Sequence, residues 1–100
     1  MILFNWFDAS DEKQFGESLA QFFLERMAPL SNFGDKAFAQ KADKILHQMA
    51  GQVLQFKRSH KLNMYKKAQL GNAFKWALRD AKLDPQYTDK LTKWLVIQVG

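Results

Sequence analysis

The chain has no cysteine among its 100 residues. That excludes a disulfide framework, a thiolate metal site and a thiol nucleophile together. Its stability must therefore come from packing. It also lacks any run approaching the roughly 18 to 20 apolar residues of a membrane span. The apolar opening "MILFNWFD" has no basic segment before it and reaches Asn5 and Asp8 within eight residues, which does not fit a secretory signal. From these absences a cytoplasmic, soluble protein without a transmembrane segment is expected. The initial Met, with no tag ahead of it, is what a complete gene product would show.

Chemistry is sparse as well. There are two histidines, His47 and His60. His47 has only Asp43 at helical spacing, a single solvated contact and not a ligand set, so no metal is expected. Ser59 and His60 are neighbours in sequence, whereas a nucleophile and its base normally converge from separate elements with an acid orienting the imidazole; the pair is read as ordinary joint residues. The carboxylates Asp8, Asp11, Glu12 and Glu17 gather where a first helix begins, and the positive end of the helix dipole already accounts for the first three. No glycine-rich phosphate loop is present, since "LSNFGDK" and "QLGNAFK" each carry a single glycine. The sequence points to no enzyme, no cofactor and no small-molecule substrate.

What is present is apolar and helical. Nearly half of the chain is hydrophobic (47%) and a quarter is charged, the balance of a folded globular protein. At this length it is one domain, residues 1–100. Nine Phe and three Trp supply much of the core. Apolar residues recur at spacings of three and four in four segments, about 10–28, 35–58, 64–82 and 85–98. The first stripe is Phe15, Leu19, Phe22, Phe23 and Met27, flanked by Gly16 and Ala20, which leave room for a close neighbour. The second is Phe38, Ala42, Ile45, Met49, Val53 and Phe56, with Gly51 expected to mark another close-packing point. The third is Leu70, Phe74, Ala77, Leu78 and Ala81. The fourth is Tyr87, Leu91, Trp94 and Leu95, with Val96, Ile97 and Val99 pointing away from that face.

Pro29 ends the first segment, and "KLDPQYTDK" both stops the third and restarts the fourth, with Asp84 as cap and Pro85 at the first helical position. The only β-like pieces are the two ends. "MILFNWF" is read as an apolar arm and "LVIQV" as a helix end. The expected fold is all-α, a compact bundle of about four helices.

Charge is unevenly placed within a net +5. Residues 1–35 carry −4, whereas 44–79 carry +8 with no acid at all. Candidate anion-binding residues are Lys57, Arg58, Lys61, Lys66 and Lys67 in the joint "FKRSHKLNMYKK", continued by Lys75, Arg79 and Lys82 along one side of the third helix, with Trp76 just beyond them. Basic groups beside an aromatic ring are suited to phosphates and stacked bases. A competing reading buries Trp76 against the fourth helix and sets the acids of the first helix over the positive strip.

A helix-turn-helix is disfavoured, because Asp84 and Asp89 would face phosphate. Surplus apolar residues, namely Leu24, Leu54, Val96, Ile97, Val99 and the arm residues Ile2, Leu3, Phe4, Trp6 and Phe7, point to self-association or a protein partner. The first functional expectation is a protein-interaction or assembly module. The alternative is binding of nucleic acid or another polyanion through residues 57–82.

Overall fold

In the computed structural model, residues 7–27 and 36–100 are described. They form four helices: α1 Ser10–Met27, α2 Lys36–Ser59, α3 Met64–Asp80 and α4 Pro85–Val99. No strand occurs among the described residues. Of the expected arm at residues 1–7 only Phe7 is among them, and the break at Pro29 lies outside them.

Three of the four helix starts have a visible local cause. Asp8 accepts from the Ser10 amide at 3.1 Å and from its hydroxyl at 2.7 Å, just ahead of α1. Asn63 caps α3 by accepting from the Lys66 amide at 2.8 Å. Asp84 does the same for α4, accepting from the Tyr87 amide at 3.0 Å, with Pro85 where a missing amide costs nothing.

The end of α3 departs from expectation. It stops at Asp80, two residues short of Lys82, and Ala81 is exposed and not part of the inner face. Lys82 takes a φ of +63°, the left-handed region that favours glycine. Its amide donates to Arg79 O at 2.9 Å and that of Leu83 to Leu78 O at 3.2 Å, the paired bonds of a Schellman turn. Leu83 packs against the core beside this turn, which holds the unfavourable backbone in place. Lys82→Gly should therefore raise the unfolding free energy by about 1 kcal/mol, read from chemical denaturation.

The buried stripes follow the sequence closely. Leu19, Phe23 and Met27 of α1, Phe38, Ala42, Ile45, Met49 and Val53 of α2, Leu70, Phe74 and Leu78 of α3, and Leu91 and Leu95 of α4 are all buried. Phe15, Phe22, Leu24, Phe56, Ala77, Tyr87 and Trp94 pack around them half-buried. Val99 is a correction. It is buried in the core and does not point away, because it lies one further turn along the line of Leu91 and Leu95.

Helix order is set by which backbones can approach. α1 packs against α3 and α2, and α4 packs against the same two, leaving α1 and α4 on one diagonal and α2 and α3 on the other. The Phe7 and Tyr65 rings meet at 5.4 Å near the starts of α1 and α3, so those two neighbours run parallel. Phe38 and Tyr87 meet at 5.7 Å near the starts of α2 and α4, while Lys57 reaches Gln98 O and Gly100 O at their ends. This pair is parallel too. The joint at 60–63 thus carries the chain across the bundle and not simply to an adjacent helix.

The α1–α3 contact is the most intimate, and Gly16 explains it. A Cβ there would collide with Leu70 O and lie 3.1 Å from Phe74 N. Gly51 corrects the other glycine expectation: it is exposed, and a Cβ would meet nothing within 4 Å. Gly51→Ala should therefore stabilise the chain by about 1 kcal/mol through helix propensity alone, seen as a rise in melting temperature.

Candidate functional site

The basic candidates are divided among several environments. Lys57 is half-buried, and its ammonium donates to Gln98 O at 3.2 Å and Gly100 O at 3.3 Å. It thereby satisfies carbonyls at the negative end of α4. Arg58 is exposed on the last turn of α2. Lys61 and Lys66 line a cavity of about 210 Å³ together with Asp8, Asp11, Glu12 and His60. Lys67 is half-buried beside Val99 at the mouth between α3 and α4. Lys75 is half-buried, and Lys82 sits in the turn after α3.

At the 60–67 end, then, the acids of α1 do face the cations. Asp8 is held below the usual carboxylate range, first by its hydrogen bonds from Ser10 and then, more weakly, by the charge of Lys66. Its contribution to stability is present above the ordinary carboxylate range and is lost as pH falls through the lowered value. The helix dipole alone accounts for the charge of Glu12 in the first turn and does not require its burial. Its side chain is instead buried, at 2% exposure.

Ser59 and His60 prove less ordinary than their adjacency implied. The Phe15 and Phe56 rings stack at 4.2 Å, and His60 stacks on the other side of Phe56 at 3.9 Å. His60 Nε2 lies 3.5 Å from Asp11 Oδ2, and Nδ1 lies 2.8 Å from Ser59 Oγ. A hydroxyl, an imidazole and a carboxylate are thus in one line. Ser59 does not line the adjacent cavity, however, and its hydroxyl also reaches Phe56 O at 3.2 Å. The trio ties the joint to the start of α1. No cluster of three potential metal ligands occurs among the described residues.

The outer face of α3 has a different character. Tyr65, Gln69, Asn72, Trp76 and Arg79 follow at spacings of four, three, four and three, opposite the buried line Leu70, Phe74 and Leu78. Trp76 is 56% exposed, so it is not buried against α4. The Arg79 guanidinium lies 5.3 Å from its ring, within cation–π range. Beside this line, a groove of about 670 Å³ runs between α1 and α3, lined by Lys13, Glu17, Gln21, Gln69, Asn72, Ala73, Trp76, Ala77 and Asp80.

The spacing of the outer line is readable on a helical wheel, and Tyr65 shares it because α3 begins at Met64. The groove is not readable in that way. It needs Lys13, Glu17 and Gln21 set alongside α3, which only the parallel pairing supplies.

A second, apolar patch lies toward α4. Met64 is 86% exposed and Ile97 74%, with Val96 also exposed. Met64, Ala68, Gly71, Val96 and Val99 line a groove of about 360 Å³ between α3 and α4. No helix among the described residues is long and apolar enough to cross a membrane. Comparison of the chain with protein-family models, with curated proteins and with solved structures gave no match.

Proposed function

We propose that the chain is a non-catalytic protein-binding module whose contact face is the outer line of α3. The observation that carries this is Trp76, more than half exposed and stacked with Arg79 on a line shared with Tyr65. Trp, Tyr and Arg are the residues that most often supply interface energy, because each buries a large planar surface while keeping a polar handle. Gln69 and Asn72 lie between them and can hydrogen-bond a partner without the cost of desolvating a charge.

The same face suits a polyanion less well. Lys57 is engaged with α4 carbonyls, Lys61 and Lys66 sit among carboxylates, and Glu17 and Asp80 share the groove with Trp76. A phosphate chain laid along α3 would meet those acids. Nucleic acid is therefore the alternative that an experiment should be able to detect.

A photo-crosslinking phenylalanine analogue in place of Asn72, expressed in the cells that make the protein, should give a discrete protein adduct. The same analogue at exposed Gln48 on α2 should give none. Adducts at both positions, no adduct at Asn72, or an adduct removed by nuclease would each overturn the reading, and the last would favour nucleic acid.

A further inference from the structure

We infer that the groove between α3 and α4 binds a single-chain anionic amphiphile, a fatty-acid carboxylate, with its tail on the apolar lining and its head on Lys67. Met64, Ala68, Gly71, Val96 and Val99 supply that lining, and the volume is about 360 Å³. Apolar clefts between bundle helices, of roughly 300 to 1,000 Å³ and with a few placed polar groups, are where small organic ligands are held. Gly71 adds no side chain to the floor, and Val96 beside it is half exposed. The lining is therefore open from outside. From Met64 to Asn72 it extends about 12 Å along α3 at 1.5 Å per residue, a length suited to one short alkyl chain.

The end near Val99 differs from the rest. Lys67 and Val99 also line a second cavity of about 340 Å³, together with Lys57, His60, Lys61 and Leu62. Among the described residues no carboxylate side chain borders either cavity. Lys57 is held by the Gln98 and Gly100 carbonyls, and Lys61 also borders the cavity that contains Asp8, Asp11 and Glu12. Lys67 is in neither position. It is half-buried, and its ammonium has no hydrogen bond or ion pair among the described residues. A lysine that lines both an apolar groove and a basic cavity can lay its stem along the first and present its charge to the second. One free ammonium matches one carboxylate, where a phosphate chain would need several. The inference goes beyond the contact face proposed above, a separate strip of α3 that meets this groove at Asn72.

The test is isothermal titration calorimetry of the purified full chain with decanoate, hexanoate and decyltrimethylammonium, each below its micellar concentration, with circular dichroism confirming that each variant folds. Each fully buried methylene strengthens binding by about fourfold, so decanoate should bind at least about tenfold more tightly than hexanoate even in an open groove. Decyltrimethylammonium has the same tail and the opposite charge, and should bind about tenfold more weakly than decanoate. Lys67→Gln should weaken decanoate about fivefold and leave decyltrimethylammonium unchanged or tighter, a split that a merely structural loss would not give. Ala68→Phe, which fills the groove from an exposed position, should weaken both ten-carbon ligands.

No binding of decanoate, equal binding of hexanoate, equal binding of the two head charges, or no response to either substitution overturns the inference. Binding that appears only after residues 1–6 are removed also overturns it and assigns the groove to the chain's own apolar segment. Binding that weakens as the protein concentration rises overturns it in favour of a second copy.

Discussion

Phe74→Ala should lower the unfolding free energy by about 3–5 kcal/mol, the largest effect expected of any single change considered. Phe74 is fully buried at the centre of α3, and its amide lies beside Gly16 of α1. Removing the ring takes away its transfer free energy and leaves a cavity that parallel, closely spaced helices cannot easily collapse. For a domain of this size each kilocalorie corresponds to roughly 4–8 °C in melting temperature, so the variant should melt some 15 °C or more below the parent. A loss of only a few degrees would mean that the helices can close over the gap, and would contradict the tight α1–α3 contact.

The second large effect is expected at Gly16. Gly16→Ala should destabilise by about 2–3 kcal/mol despite a gain of about 1 kcal/mol in helix propensity. The added methyl would strike the Leu70 carbonyl, and a backbone atom inside a helix cannot swing aside as a side chain can. α1 and α3 would have to separate along their whole contact. Gly71→Ala is the matched control, because a Cβ there lies at an ordinary 3.6 Å from Val96 Cγ2. It should be neutral or slightly stabilising. Equal behaviour of the two variants in thermal denaturation would remove the steric explanation for how α1 and α3 are paired.

Much of the architecture could be read from residue spacing. The stripe Phe38, Ala42, Ile45, Met49 and Val53 is buried as the 3.6-residue period requires, and Asp84–Pro85 starts α4 where capping chemistry places it. What spacing could not convey was the pairing of helices. A wheel shows that Gly16 and Ala20 are small, but not that α3 is the neighbour they admit, or that it lies parallel. The turn at Lys82 is not legible in the sequence, because a lysine occupies the left-handed position usually held by glycine.

The candidate site followed the same pattern. Trp76 and Arg79 were identified as neighbours on one helix, a local relationship that spacing encodes. The separation of Lys57, Lys61 and Lys66 from them was not encoded, since it depends on α4 carbonyls accepting from Lys57 and on Asp8, Asp11 and Glu12 sharing a cavity with Lys61 and Lys66. Charge counts along a sequence cannot show which charges the fold brings face to face.

The central claim is that the outer line of α3 is covered by protein when the chain is at work. Because the chain has no native cysteine, single-cysteine variants report on one site each. Gln69→Cys, on the groove side of that line, and Gln48→Cys, on the exposed side of α2, can be alkylated both as dilute purified protein and inside cells. The ratio of the Gln69→Cys rate to the Gln48→Cys rate should fall several-fold in cells relative to dilution. An unchanged ratio would show α3 as open in the cell as it is alone, and would contradict the claim.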